Sequence, residues 1–184
     1  MTPMLGILAS QITGHLNNSS FESIATASGN GITNITFSSI PATYKHLQIR
    51  GIINVAAAAS SAKFQFNGDT GSNYAVHNLY GNGTAAAASG IASRTIIDLA
   101  RSVSFPSDAN IYGAFIFDVI DYASTSKYKT TRSFQGTDTS GNGAIGVDLE
   151  SGLWMSTSAI NSINLNWTFN GGSATSIALY GIKG

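Results

Sequence analysis

The feature that most constrains this chain is its punctuation. Short apolar runs alternate with polar residues and stop at clusters of Gly, Asn, Asp and Ser, roughly every ten to twenty residues from Phe21 onward, with no sustained helical period. Ser28 to Gly31, Asn67 to Asn73, Gly81 to Gly83, Gly136 to Gly143 and Gly171-Gly172 are the clearest stops. Gly and Asn reach the positive φ angles that tight turns require, so such stops join strands. The spacing predicts an all-β chain folded as a two-sheet β-sandwich, and a jelly-roll-like or similar Greek key fits the strand count. No repeat recurs at a fixed period, which argues against a solenoid or propeller.

In chain order, the expected strands are Phe21–Ala27, Ile32–Phe37, Lys45–Arg50, Lys63–Phe66 and Tyr74–Tyr80, with Pro41 in a loop. Lys45–Arg50 places Leu47 and Ile49 inward and His46, Gln48 and Arg50 outward. The Ala-rich run 56–62 reads as a loop. Ile91–Leu99 carries Ile96, Ile97 and Leu99, and a short helix between Ile91 and Val103, closed by Pro106, is an alternative there. Strands at Ala144–Leu149, Gly152–Ser156, Ile160–Trp167 and Ser176–Ile182 finish the chain.

The centre is Asn110 to Phe134. Its first half is the most apolar segment present, with Ile111, Phe115, Phe117 and Val119 on one face of a core strand. Its second half holds Lys127, Lys129 and Arg132 among aromatic residues and reads as a solvent-facing return strand. Asp118 and Asp121 are the closest carboxylate pair, and a structural ion pair with Lys127, Lys129 or Arg132 is their expected role.

Composition removes several function classes. Of the 184 residues, 10% are charged, with nine basic and nine acidic side chains and a formal net charge of zero. That is far below the usual quarter, and Ser, Thr, Asn and Gly together supply roughly two-fifths of the chain. The aromatic and β-branched content is too high for disorder. With no net positive charge and one basic cluster, a phosphate-neutralising surface is not expected, so no nucleic-acid partner is predicted. The same balance leaves little repulsion between copies, which favours a homo-oligomer. Cysteine is absent, so disulfides, thiolate metal sites and Cys nucleophiles are excluded.

Residues 1–19 form a separate unit, an extended N-terminal arm ahead of a single sandwich domain at 20–184. Met4, Leu5, Ile7, Leu8 and Ile12 cannot be hidden by so short a segment and are expected to dock on the domain or on a neighbour. The first ten residues lack the basic start of a signal peptide and are too short to span a bilayer, so a soluble protein with no membrane partner is expected.

The remaining motifs carry little chemistry. Gly141 to Gly146 matches the Gly-x-Gly-x-x-Gly pattern, but it follows a polar loop and leads into a strand, so a hairpin turn is expected and no dinucleotide. His15, His46 and His77 lack metal-ligand spacing. There is no Gly-x-Ser-x-Gly elbow, and a glycosidase would need two facing acids. The 67–73 loop, with Asp69 between glycines, is a bare turn or, alternatively, a contact for a sugar or Ca²⁺; one carboxylate is few for calcium. Trp154 and Trp167 are expected in the core or at a subunit contact, with stacking on a sugar as the alternative. No cofactor, metal or catalytic residue is predicted.

Taken as a set, several blocks resemble one family: Ser20–Thr26, Phe37–Gly51, Phe66–Tyr74, Leu79–Gly81, Ile120–Ala123 with Lys127–Thr130, Ser151–Thr157 and Ala178–Lys183. They are similar to a group of virion structural proteins of tailed bacteriophages that decorate the capsid or associate with the tail. The resemblance covers nearly everything from Ser20 to Gly184. It implies a non-enzymatic protein made in the host cytoplasm and placed on the capsid exterior or tail, with the major capsid protein or tail proteins as partners. A trimer is the expectation by analogy with small β-sandwich virion proteins. A capsid decoration or cement role is the first expectation. The alternative is a tail-fibre or tail-tip module that binds host glycans, with Asp69, Asn73 and Trp154 as contacts.

Overall fold

Alternation of apolar and polar side chains, reinforced by β-branched and aromatic residues, sets the backbone into strands throughout. A computed structural model describes residues 20–29, 31–55, 61–99, 104–139, 146–167 and 175–184. Its twelve strands are β1 (Phe21–Gly29), β2 (Asn34–Phe37), β3 (His46–Ile53), β4 (Ala62–Phe66), β5 (Tyr74–Gly81), β6 (Ala86–Arg94), β7 (Ile97–Leu99), β8 (Gly113–Ile120), β9 (Lys129–Thr137), β10 (Gly146–Trp154), β11 (Ile163–Trp167) and β12 (Thr175–Ile182). The described residues contain no helix. The arm, with Met4, Leu5, Ile7, Leu8 and Ile12, lies outside them.

The strands form two sheets in which every pairing is antiparallel. An eight-stranded sheet runs β1-β12-β3-β8-β9-β10-β5-β6, and a four-stranded sheet runs β2-β11-β4-β7. The fold is therefore all-β and β-sandwich-like. One core lies between the sheets: Leu47, Ile49, Phe117, Val119, Ile177 and Leu179 from the large sheet meet Ile35, Phe64, Phe66, Ile163 and Leu165 from the small one. Phe64 stacks on Phe117 across the gap at 3.9 Å between ring centres. Removing water from these rings and branched chains is the main stabilising contribution.

Two hairpins extend the large sheet. β5–β6 falls between β4 and β7 in the chain, and β9–β10 falls between β8 and β11; together they add four strands beyond β8. Gly152 lets β7 approach β10 closely, because a Cβ there would lie 2.4 Å from Thr131 Oγ1 and 2.9 Å from Ile97 Cδ1. The turn after β4 uses Asn67 and Gly68, both at positive φ (51° and 70°), closed by a hydrogen bond from the Asp69 amide to the Phe66 carbonyl.

Three expectations change. Ile91–Val103 holds no helix over its described part: Ile91 and Arg94 belong to β6, and Ile97–Leu99 is β7, because pairing of Ile97 and Leu99 with Phe64 and Ala62 buries all three β7 residues. The two strands expected at Ala144–Leu149 and Gly152–Ser156 are one continuous β10, since Glu150, Ser151 and Gly152 keep their register with both neighbours. The return strand β9 is not a solvent-facing edge. It lies between β8 and β10, with Lys129, Thr131, Ser133, Gln135 and Thr137 buried.

Candidate functional site

The 67–73 loop brings Asp69, Asn73 and Trp154 together, Trp154 from the core side and Asn73 from the surface. The Trp154 indole N–H donates to Asp69 Oδ2 at 2.7 Å. The Asn73 amide donates to both carboxylate oxygens at 3.1 and 3.0 Å, and the Gly71 amide donates to Oδ1 at 2.8 Å. The indole bond, with the other two, holds the Asp69 carboxyl below the usual range. Trp154 is 2% exposed and packs between Phe66 and Tyr74, at 5.6 and 6.4 Å. It is a core residue and presents no ring face at the surface. Tyr74 completes the corner: its hydroxyl donates to the Asp69 carbonyl and accepts from the Phe66 amide, and burial pushes its pKa up to about 12. This cluster fastens a loop to the core.

The charges of the central stretch are also spent locally. Asp121, at φ 49° in the β8–β9 turn, takes Lys127 at 2.9 Å and Lys45 at 3.2 Å, and these two cations lower its pKa. Asp118 accepts from Gln48 Nε2 at 2.7 Å and lies 3.9 Å from Arg132. Lys129 has a different role from the one expected. It is buried, and its ammonium donates to the carbonyls of Lys127, Ser156 and Thr157 at 2.8, 3.5 and 3.2 Å, while burial lowers its pKa. A buried cation needs such oxygen partners, and these fasten the 155–157 segment beneath β9. Among the described residues, no group of three His, Cys, Asp or Glu could hold a metal ion.

The feature that stands apart is the outer face of the large sheet. Alternation puts one residue in two outward, and register places these outward residues in straight rows across the strands. One row reads Ile116 on β8, Phe134 on β9, Leu149 on β10 and Leu79 on β5, each directly opposite the next. All four are exposed, at 38%, 48%, 50% and 53% respectively. Ala88 on β6 continues the row. Val147 and Ile52 add exposed apolar surface one row away. On that side lie Ala114, Gly136 and Gly81; on the other lie Asp118, Arg132, Ser151 and His77. A contiguous apolar band of this kind, rimmed by polar groups, marks an interaction surface.

The inner face of the same strands is polar. Asn78, Ser133, Gln135, Asp148 and Glu150 are buried there. The Asn78 amide donates to both Asp148 oxygens at 3.2 Å, and Ser89 Oγ donates to Asn78 Oδ1 at 2.7 Å. Polarity is thus reversed across this part of the sheet. A slip of one residue would send Leu79, Phe134 and Leu149 inward. On β5 and β10 the observed register places Tyr74 and Trp154, which share those strands with Leu79 and Leu149, in the core.

Sequence reasoning missed this surface. Its signal was the phase conflict in β10, where Val147, Leu149 and Leu153 alternate in one phase and Trp154 falls in the other. No family model matches this chain, and no curated protein matches it.

Proposed function

We propose that this chain is a non-catalytic structural subunit of a tailed-phage virion: a jelly-roll protein that decorates or cements the capsid exterior. The observation that carries the assembly role is the exposed row Ile116–Phe134–Leu149–Leu79. Four half-exposed large side chains in register do nothing for an isolated monomer and suit a subunit that is covered in its working state. The jelly-roll assignment is supported by strand order. In pairing, the first strand sits beside the last and the second beside the last but one, as winding a long hairpin requires, with β3 and β4 next to those same two strands. The virion location rests on the family resemblance of residues 20–184 and on the low charge. Residues 1–19 are the proposed capsid anchor.

The glycan-binding alternative is less supported at Trp154, which is buried, while Asp69 and Asn73 bond to each other on a loop that reaches the surface. The deciding experiment is particle incorporation. The full chain should co-purify with virions at capsid-like copy number, and a chain lacking residues 1–19 should fold, by circular dichroism, yet fail to join particles. Absence of the full chain from virions overturns the virion role; fibre-like copy number overturns decoration.

A further inference from the structure

We propose that the apolar row is covered by a second copy of this chain, the two large sheets meeting face to face about a two-fold axis that runs along the row. This rests on the assembly role proposed above and names the partner of that surface.

Shape and charge favour a second copy. A two-fold axis along the row lays each strand across its own counterpart and sets the row on one side of the axis against the row on the other. Ala114 of one copy then faces Asp118 of the next, Gly136 faces Arg132, and Gly81 faces His77. On β8, β9 and β5 alike, a small residue meets a larger polar one. The apolar row meets itself, so Phe134 lies on Phe134 and Leu149 on Leu149, as isologous contacts require. Asp118 and Arg132 both land over small neutral residues. Arg50, the row's residue on β3, meets its own counterpart at the edge of the patch, its guanidinium drawn aside over the rings of Phe21 and Tyr180. With a formal net charge of zero, the copies do not repel at long range either.

The size is adequate. At the usual strand and residue spacings, the patch from β3 to β6 measures roughly 24 Å by 20 Å, so two copies bury on the order of 1,000 Å² together, the lower bound for a specific interface. The row is continuous over adjacent, paired strands, so the partner face is pre-formed and association orders little backbone.

The test uses the purified full chain, which contains no cysteine. Light scattering coupled to size exclusion, across micromolar concentrations, should give a dimer. The double variant Phe134→Thr with Leu149→Thr should weaken dimerisation by roughly a hundredfold or more while thermal unfolding still reports a cooperative fold. A Phe134→Cys variant should form a covalent dimer under a mild oxidant that accepts the two thiol electrons, and Lys63→Cys, on the other sheet, should not. A monomer at all concentrations overturns the proposal, as does a trimer, or a dimer that survives the double substitution. A wild-type monomer that dimerises only after removal of residues 2–19 also overturns it, because the arm then covers the row. A monomer that still joins virions would sink this inference and leave the virion role standing, whereas a dimer absent from virions would do the reverse.

Discussion

Two regions of the same sheet handle polarity in opposite ways. Where β3 and β8 run side by side, Leu47, Ile49, Phe117 and Val119 are buried, while Gln48, Arg50 and Asp118 lie on the other face. Two strands further along, across β9, β10 and β5, Ser133, Gln135, Asp148, Glu150 and Asn78 are buried and Phe134, Leu149 and Leu79 are exposed. The first arrangement stabilises a monomer. The second gives up that gain at three large side chains, and an apolar face that gains nothing in the monomer is available for a partner. The reversal falls on the two hairpins that extend the sheet beyond β8.

The contrast can be broken by substitution. Phe64→Ala should have the largest effect, a loss of about 3–5 kcal/mol, because it removes the ring that stacks on Phe117 between the sheets; urea denaturation measures it, and a loss under 1 kcal/mol would mean the sheets are not held together there. Next is Asn78→Ala, which takes the amide donor from buried Asp148 and should cost about 2 kcal/mol. If the variant matches the parent in chemical denaturation, the polar interior of the extension is not what fixes its register.

Asp69→Asn should cost about 1 kcal/mol near neutral pH, the exposed side of the loop screening the rest. Its pH dependence has a definite sign. The folded Asp69 pKa lies below 3.8, so its contribution is present above 3.8 and is lost as pH falls through the lowered folded value. Melting temperatures followed through that window should fall less steeply for the variant; parallel curves would remove Asp69 from the account. Smallest is Phe134→Thr, expected to change monomer stability by less than about 1 kcal/mol, since the ring is half exposed and Thr suits a strand. A loss approaching that of Phe64→Ala would show that Phe134 packs inward and would erase the contrast.

The strands of the first region were legible because every signal agreed. In His46 to Ile53, apolar Leu47, Ile49 and Ile53 share one phase, and the local period fixes which face is inside. The stops at Asn67-Gly68 and Gly81 to Gly83 marked real strand ends. The extension was harder. In β9 the inward set is Lys129, Thr131, Ser133, Gln135 and Thr137, so pattern reading sends it to solvent. Only burial beneath neighbouring strands, and carbonyl partners for the Lys129 ammonium, make that set an interior. The apolar row could not be seen for a related reason. Its four residues lie on four strands, of which β5 is remote in the chain from the consecutive β8, β9 and β10, and nothing local says that they align.

The sequence by itself determined the all-β class, the strand ends at Asn67-Gly68 and Gly81 to Gly83, the core placement of Phe115, Phe117 and Val119, and the absence of disulfides. These follow from local backbone preference and from side-chain types that water excludes. Tertiary structure alone decided the order of strands in the two sheets, the inward turn of Lys129, the burial of Trp154 against Asp69, and the alignment of Ile116, Phe134, Leu149 and Leu79. Each of these depends on register between distant strands, and a strand's own alternation specifies two faces without saying which one will find a partner.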